Sequence, residues 1–250
     1  MLEVSGLIKQ FQSRERVLSG VNFTIKQGEF VALLGLSGSG KSTLFRCLTL
    51  LEDWDEGSLI YNNENILPLS KRKRKLYRRD WAYIKQKVSL IKRRTALENV
   101  LAGRLNQTTF WRVVFNRFSK EDVEKSLAAL ERVGLKHKAY ERADQLSGGE
   151  QQRVAIARAL VQGAKVIFAD EPVSSLDPES AKQVLLHLQS VSKSENITVL
   201  CSLHQVDLAE KYASRILGLA KGEIVVDISD GSLKDEEKKK IYSYQELTNA

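Results

Sequence analysis

Nine consecutive residues decide the fold: Gly35-Leu36-Ser37-Gly38-Ser39-Gly40-Lys41-Ser42-Thr43. An unbroken apolar run, Phe30–Leu34, precedes them, and a helical pattern over residues 43–51 follows. A strand, a glycine-rich loop and a helix in that order begin a parallel α/β unit. Glycines let successive backbone N–H groups converge on one anion, and the helix N-terminus adds positive potential. The stretch therefore predicts a phosphate-binding loop; a glycine turn with a chance lysine is the alternative.

The residue types in this loop suit a nucleoside triphosphate. Lys41 is expected to reach the β- and γ-phosphates, and the Ser42 hydroxyl is expected to ligate Mg²⁺. The predicted nucleotide-binding residues of the loop are Gly35, Ser37, Gly38, Ser39, Gly40, Lys41, Ser42 and Thr43.

Two acidic residues follow a second apolar run. Val166–Ala169 has no polar alternation, which suits a parallel strand covered on both faces, and Asp170 and Glu171 come directly after it. Ligands of open α/β sheets bind at the carboxyl ends of the strands, where the phosphate-binding loop also lies. Asp170 is therefore expected to hold Mg²⁺ through a water, and Glu171 to act on a water that attacks the γ-phosphate. The alternative is a plain capping pair before Pro172.

The rest of the pattern predicts an α/β protein with two additions. Residues 2–7 and 17–25 alternate like antiparallel strands, residues 197–201 form another buried strand, and residues 216–219 and 223–226 form a closing hairpin. From about residue 95 to residue 161 the period is helical, and helices begin at Ser119-x-x-Asp122 and Ser147-x-x-Glu150.

We therefore expect one domain over residues 1–250. Its core comprises residues 1–90 and 162–230, its helical subdomain residues 91–161, and its charged C-terminal tail residues 231–250. Within that tail, residues 234–240 predict a short solvated helix, because they are rich in charge.

Further motifs reveal a family resemblance. Leu146-Ser147-Gly148-Gly149-Glu150-Gln151-Gln152-Arg153 resembles the signature of ATP-binding cassette (ABC) ATPases, and it precedes the strand with Asp170 and Glu171, as in that family. Gln86 resembles the Q-loop glutamine, Ser174-Ser175-Leu176-Asp177 the D-loop, and His204 the switch histidine. Phe11 resembles the aromatic residue that stacks on adenine, where tyrosine is frequent. Asp177 before Pro178 can also act as a simple helix N-cap.

The resemblance implies the ABC ATPase fold: a P-loop, RecA-like core with an N-terminal antiparallel β subdomain and an inserted α-helical subdomain. It implies ATP and Mg²⁺ as cofactors and a head-to-tail homodimer, in which the phosphate-binding loop of one chain and Ser147, Gly148 and Gly149 of the other enclose each ATP. Lys41 and His204 would contact the γ-phosphate, and Glu171 would be the general base. Ser42, Gln86 and Asp170 would serve Mg²⁺ or its waters, and Asp177 would join the nucleotide-binding residues.

Three longer stretches resemble the ATPase subunits of phosphonate importers: residues 97–105, 143–145 and 203–209 with 212–213. This resemblance implies two transmembrane permease subunits as partners and, indirectly, a periplasmic or extracytoplasmic solute-binding protein. The chain would then be peripheral, on the cytoplasmic face of the inner membrane. Phosphonate, phosphite and phosphate-like oxyanions stay open as solutes, because the cassette does not touch the solute.

The formal net charge of +8 is local rather than general. Residues 71–94 contain twelve basic residues and one acid, Asp80. This stretch is interpreted as a solvated helix face, or as a contact with acidic headgroups or another anionic partner. Because the remainder is not basic, no nucleic-acid partner is expected, and a non-transport cassette acting on nucleic acid or ribosomes is the less favoured alternative.

Further features limit the function classes. Residues 110–118 alternate aromatic and basic side chains, which fits the interior of the helical subdomain, a groove for a permease helix or a surface that stacks single-stranded nucleic acid. Cys47 and Cys201 lie outside any metal-binding pattern and predict buried, reduced thiols. No apolar stretch reaches the roughly 20 residues of a membrane-spanning helix, and the N-terminus lacks the pattern of a secretory signal.

Overall fold

The computed structural model describes residues 1–11, 16–107, 118–229 and 232–242. The strands in these ranges are β1 (Leu2–Gln10), β2 (Arg16–Ile25), β3 (Phe30–Leu34), β4 (Glu56–Tyr61), β5 (Glu64–Asn65), β6 (Trp81–Ile84), β7 (Val166–Ala169), β8 (Thr198–Leu203), β9 (Arg215–Ala220) and β10 (Glu223–Ser229). The α-helices are α1 (Lys41–Leu48), α2 (Lys71–Tyr77), α3 (Ala96–Leu101), α4 (Lys120–Arg132), α5 (Gly148–Gln162), α6 (Pro178–Glu195), α7 (Val206–Tyr212) and α8 (Asp235–Tyr242). Short 3-10 helices cover Ala102–Gln107, Lys136–Lys138 and Ala143–Gln145.

The described strands form two sheets. The larger has the order β10-β9-β3-β8-β7-β6, in which β10 alone runs antiparallel to its neighbour. The smaller is antiparallel, with the order β2-β1-β4-β5. The phosphate-binding loop follows β3, and the two acids follow β7, so both lie at the carboxyl edge of the parallel strands.

Both faces of the larger sheet are buried, which explains the unbroken apolar runs of its strands. Along β7, Ile167 and Ala169 pack with helices α3 to α7, whereas Val166 and Phe168 pack with α1 and the smaller sheet. Phe45 of α1 meets Phe168 edge to face, with ring centroids 6.2 Å apart. The helix that begins in the phosphate-binding loop is thus fixed against the strand that ends in the acids.

The fold agrees with the predicted α/β architecture, its N-terminal antiparallel strands and its closing hairpin. The bounds of two predicted elements were wrong. The helix predicted over residues 43–51 begins at Lys41 and ends at Leu48, because Leu50 takes a φ of 56°, which no helix continues. The strand predicted over residues 197–201 runs from Thr198 to Leu203, which places Ser202 inside it. Strands β4 to β6 were not predicted.

Between β6 and β7, the described residues form the helices α3, α4 and α5 and three short 3-10 helices, in agreement with the predicted helical period. Ser119 accepts a hydrogen bond from the Asp122 N–H at the start of α4, and residues of α3, α4 and α5 share one apolar cluster with the larger sheet. The boundaries of the predicted subdomain stay predictions, and the aromatic and basic stretch of residues 110–118 lies almost wholly outside the described residues. The basic residues 71–77 form α2, which has no buried residue and therefore fits the predicted solvated face.

The C-terminal segment differs from the solvated helix that its charge predicts. Ile241 of α8 and Leu233 before it are buried, and the Leu233 N–H donates a hydrogen bond to Glu210 Oε1 over 2.8 Å. The helix is therefore docked on the core. Cys47 and Cys201 are free and buried, as predicted. Within the described ranges, each helix is too short or too polar to cross a membrane.

Candidate functional site

The phosphate-binding loop is a tight connection from β3 to α1. Gly40, the N-cap of α1, has a φ of 105°, and Gly38 has a φ of 81°. Both lie in the left-handed region that glycine adopts without steric cost. Gly35 meets another requirement, because a Cβ atom there would lie 2.4 Å from the Leu219 carbonyl oxygen of β9. The loop therefore needs its glycines both for backbone direction and for close contact with the sheet.

The turn between β9 and β10 is hydrogen-bonded to this loop and supports it. The Gly222 N–H donates to the Ser39 carbonyl oxygen over 3.2 Å, and the Ser19 N–H donates to the Gly222 carbonyl oxygen over 2.9 Å. A Cβ atom at Gly222 would lie 2.4 Å from the Val17 carbonyl oxygen. The predicted hairpin thus ties β2 and the phosphate-binding loop together.

Lys41 points into its own loop. Its Nζ donates hydrogen bonds to the carbonyl oxygens of Gly35 at 2.8 Å and Leu36 at 2.9 Å. Burial lowers the pKa of the Lys41 ammonium below its ordinary value, although the carboxylates of Glu171 and Asp170 oppose that shift. The ammonium group therefore lies between the loop and the acids, where phosphate oxygens of a nucleotide would meet it.

One cleft joins the phosphate-binding loop to the acids. It has a volume of about 290 Å³ and is lined by Val17, by Glu171 and by six residues of the loop. A second cleft, of about 380 Å³, shares Val17, Ser37 and Gly38 with the first and includes the basic residues Arg16, Lys221 and Lys240. Open space lined by basic residues therefore extends from the predicted phosphate site along the loop.

Asp170 is held rigidly at the end of β7. It is buried, its Oδ1 accepts a hydrogen bond from the Ser202 hydroxyl over 2.9 Å, and its Oδ2 accepts one from the Tyr83 hydroxyl over 3.1 Å. The two donors come from β8 and β6, the strands on either side. Each carboxylate oxygen keeps lone pairs for a further ligand.

Glu171 turns to the other side of the chain and meets the predicted switch histidine. Its Oε1 lies 2.5 Å from His204 Nε2, which is an ion pair when the imidazole is protonated and a hydrogen bond when it is neutral. The backbone of Glu171 has a φ of 48°, in the left-handed region that non-glycine residues rarely adopt. The structure therefore brings Glu171, His204 and the phosphate-binding loop together, as the sequence predicts.

Gln86 contacts the D-loop. Its Nε2 donates to the Ser174 hydroxyl over 3.0 Å, and that hydroxyl donates to the Glu171 carbonyl oxygen over 3.2 Å. The Gln86 backbone carbonyl accepts from Nε2 of Gln152, a buried residue of α5, over 3.1 Å. Gln86 thus links the signature helix to the turn that carries Glu171.

The predicted capping box of the signature is present. The Ser147 hydroxyl accepts from the Glu150 N–H, and the Glu150 carboxylate accepts from the Ser147 N–H. Lys138 Nζ lies 2.7 Å from Glu150 Oε1. Burial by itself would raise the pKa of Glu150, but Lys138 and the Ser147 N–H outweigh it and lower that pKa. The first turn of α5 is thereby fixed before any ligand binds.

The signature and the phosphate-binding cleft are separate features of one chain. Among the described residues that line the 290 Å³ cleft, Ser147, Gly148 and Gly149 are absent. Gly149 instead packs on α6, where a Cβ atom would lie 2.8 Å from Ser180 Cβ. That Ser147, Gly148 and Gly149 serve a nucleotide held by another copy stays a prediction from the resemblance.

In the structure, Asp177 acts as a helix N-cap, and Phe11 is a partly exposed side chain. Asp177 is the N-cap of α6, and its Oδ1 accepts from the Ser180 N–H over 3.0 Å. The Ser180 hydroxyl and then this N–H lower the pKa of the carboxyl. The Phe11 ring is 38% exposed and has Lys9 Nζ 5.1 Å from its centroid. Because residues 12–15 lie outside the described ranges, adenine stacking on Phe11 stays a prediction.

The donor set fits Mg²⁺ with most of its waters retained. In the ranges that the structure describes, no group of three or more histidine, cysteine or acidic side chains forms a metal cage. Asp170 offers a buried carboxylate, and Ser42, which lines the 290 Å³ cleft, offers a hydroxyl. Both are the hard oxygen ligands that Mg²⁺ prefers.

The sequence interpretation missed three polar residues of this site: Tyr83, Ser202 and Gln152. Tyr83 lies in β6, which was not predicted, Ser202 lies just beyond the predicted bounds of β8, and Gln152 lies in the predicted signature helix without an assigned role. A polar residue inside a buried run, as Ser202 is, was the available signal, since buried hydroxyls need partners.

Comparisons of this chain with known protein families and proteins agree with this geometry. A family model described as "ABC transporter" matches residues 18–174. The phosphonates import ATP-binding protein PhnC 1 of Halalkalibacterium halodurans is 46% identical over 242 residues, which cover 97% of this chain and 94% of that protein. PhnC of Bacillus anthracis is 45% identical over the same shares of the two chains.

Solved cassettes share the fold. The dimeric post-hydrolysis state of the ATP-binding cassette MJ0796 bound to ADP and Pi is 31% identical, with a TM-score of 0.79, over 93% of this chain and all of that one. The ADP conformation of MJ1267, an ATP-binding cassette of an ABC transporter, is 28% identical, with a TM-score of 0.81, over all of this chain and 97% of that one.

Proposed function

Since the chain belongs to the ABC transporter family of ATP-binding proteins, we propose that it is the ATP-hydrolysing subunit of an importer for phosphonate or a related phosphorus oxyanion. The solute class rests on the 46% identity to a phosphonates import ATP-binding protein. Other solutes of the same transporter class are the alternative. The ATPase activity rests on the single cleft in which the phosphate-binding loop faces Glu171.

In this function the phosphate-binding loop holds the nucleotide. Its backbone N–H groups and the N-terminus of α1 bind the phosphate oxygens, and Lys41 exchanges its contacts with the loop carbonyls for the β- and γ-phosphates. Ser147, Gly148 and Gly149 of a second copy supply donors on the opposite side of the γ-phosphate. Two such sites form at once, because the interface has two-fold symmetry.

Glu171 accepts the proton of the attacking water. Its position in the cleft and its contact with His204 support this role, since a general base needs a fixed orientation toward its water. His204 holds the carboxylate through Nε2 and would contact the γ-phosphate. Ser42 and Asp170, with Gln86, would hold Mg²⁺, which when bound neutralises charge on the phosphate oxygens.

The partners follow from the same proposal. Two transmembrane permease subunits would bind the chain at the cytoplasmic face of the membrane, and a solute-binding protein would deliver solute from the other side. The contacts from Gln86 to Ser174 and Gln152 support a path by which permease movement reaches Glu171.

Solute uptake tests this function. Cells that contain the permease and the solute-binding protein are compared with and without this chain, and with a Lys41→Ala chain. We expect uptake of a labelled phosphonate only with the intact chain, with competition by phosphonates and phosphite measured in the same assay. Unchanged uptake without the chain would contradict the proposal, and uptake competed only by an unrelated solute would reassign the substrate.

A further inference from the structure

The hydroxyl group of Ser202 bridges two consecutive acids. It donates to Asp170 Oδ1 over 2.9 Å and accepts from the Glu171 N–H over 2.8 Å. Ser202 lies in β8, beside β7, and has no exposed surface. One buried group therefore fixes the side chain of one acid and the backbone of the next.

The other side of Asp170 is fixed by Tyr83. This residue lies in β6, which pairs with β7 on the side opposite β8, and its hydroxyl donates to Asp170 Oδ2 over 3.1 Å. Burial raises the pKa of Tyr83, and the nearby Asp170 carboxylate raises it further, so the phenol stays a donor. Asp170 is thus clamped by one hydroxyl from each flanking strand, and its carboxylate plane has a defined orientation.

Glu171 needs the same support for a different reason. A left-handed conformation at a non-glycine residue is strained and persists only where its surroundings stabilise it. At Glu171, where φ is 48°, the N–H is taken by Ser202, and the carbonyl oxygen is taken by the Ser174 hydroxyl. This turn directs the Glu171 side chain away from Asp170 and toward His204, which follows β8 by one residue.

We propose that Ser202 is a positioning residue that sets the geometry of Asp170 for magnesium and of Glu171 for the attacking water, with Tyr83 as its counterpart on Asp170 alone. The inference rests on the proposed ATPase function. Without the Ser202 hydroxyl, Asp170 Oδ1 and the Glu171 N–H both lose their partner in a buried place. Hydrogen-bond partners of metal ligands typically contribute 10- to 100-fold to metal affinity or activity.

Two substitutions distinguish the effect on Asp170 from the effect on Glu171. Ser202→Ala removes both bonds, whereas Tyr83→Phe removes only the bond to Asp170. We expect the Mg²⁺ concentration that half-saturates binding of the non-hydrolysable analogue AMP-PNP to rise roughly tenfold or more in both variants. We expect kcat to fall further in Ser202→Ala than in Tyr83→Phe, because only the serine also holds Glu171, while nucleotide affinity without Mg²⁺ stays unchanged.

Ser192→Ala is the matched control. Ser192 is a buried serine whose hydroxyl donates to the Gly28 carbonyl oxygen over 2.8 Å, away from both acids. Ser202→Thr, which keeps a hydroxyl, is expected to restore much of the Mg²⁺ dependence. If Ser202→Ala or Ser202→Thr does not fold, the Mg²⁺ titration of Tyr83→Phe decides.

The outcomes separate this inference from the function on which it rests. If the wild-type chain binds and hydrolyses Mg²⁺-ATP but Ser202→Ala and Tyr83→Phe titrate with Mg²⁺ as Ser192→Ala does, the positioning role is wrong and the ATPase function stands. If the wild-type chain neither binds nor hydrolyses Mg²⁺-ATP, the proposed function fails, and the positioning role fails with it.

Discussion

His204 Nε2 and Glu171 Oε1 lie 2.5 Å apart, although the two residues leave different strands, β8 and β7. The parallel pairing of these strands brings their carboxyl ends together, and the left-handed turn at Glu171 directs its side chain to the imidazole. The contact leaves one carboxylate oxygen of Glu171 for a water. The proposed base and its proposed orienting partner therefore meet within one chain.

Glu171→Gln tests the base directly. The amide keeps the shape of the side chain but cannot take a proton, so we expect ATP binding to persist and hydrolysis to fall by about 10²- to 10⁴-fold. Because products no longer form, the variant should accumulate as a dimer with Mg²⁺-ATP, which size-exclusion chromatography measures beside the ATPase rate. Glu121→Gln, an exposed acid of α4, is the control. Steady turnover in Glu171→Gln would contradict the assignment.

Gln86→Ala tests the path from the permease. The substitution removes the hydrogen bond to the Ser174 hydroxyl but leaves the phosphate-binding loop intact. We therefore expect solute uptake to fall much more than ATP affinity, with uptake and equilibrium nucleotide binding measured on the same preparation. Gln183→Ala serves as the control, because that amide donates to Glu179 Oε1 of its own helix, away from the phosphate-binding loop. An equal loss of uptake and affinity would count against a relay.

The apolar runs made most of the carboxyl edge of the larger sheet, where the nucleotide is expected to bind, predictable from the sequence. Phe30–Leu34 and Val166–Ala169 are buried on both faces, and such runs allow few placements other than neighbouring central strands. The glycine pattern after the first run and the acids after the second run then fall at the same edge. For this reason the cleft between the phosphate-binding loop and Glu171 followed from local sequence.

The contacts across the strands were not predictable in the same way. Tyr83 and Ser202 reach Asp170 only because β6, β7 and β8 pair in one register, which no local pattern encodes. Strand β6 itself was missed, since its four residues lie within the basic stretch of residues 71–94 and show no pattern of their own. In α8 a single isoleucine among charged residues gave no apolar periodicity, yet its burial docks the helix.

Asp122→Asn gives a pH-dependent stability test of the helical region. Asp122 accepts hydrogen bonds from Arg104 Nε over 2.8 Å and from the Ser119 hydroxyl over 2.7 Å. Burial by itself would raise the pKa of Asp122, but the bonds from Ser119 and Arg104 outweigh it and lower that pKa. The stabilisation is therefore fully present above the unfolded-state pKa of about 4 and is lost as the pH falls through the lower folded-state value.

At pH 7 we expect Asp122→Asn to lower the free energy of unfolding by about 1–3 kcal/mol. The difference from the wild type should shrink as the pH falls below about 4. Urea denaturation across that range measures it, with the exposed Glu124 as Glu124→Gln for comparison. A difference that stays constant with pH would assign the effect to packing rather than to the carboxylate charge.

Ile241 and Gly218 test how α8 is held on the core. Ile241 is 1% exposed, and a Cβ atom at Gly218 of β9 would lie 2.5 Å from its Cγ1. Gly218 pairs with Leu34, the residue that precedes the phosphate-binding loop. We expect Ile241→Ala to destabilise the chain by about 2–5 kcal/mol, because it leaves a cavity against the sheet. Thermal and urea unfolding measure the loss, with the exposed neighbour changed by Lys239→Ala as control.

The reverse change in size makes this test specific. Gly218→Ala should also destabilise the chain, since the new methyl group and Ile241 cannot both fit. In the double variant the alanine at 241 makes room for the one at 218, so the combined loss should be smaller than the sum of the single losses by about 0.5–3 kcal/mol. Strictly additive losses would mean that α8 does not rest on Gly218, and its docking would then have to depend on Leu233 and the hydrogen bond to Glu210.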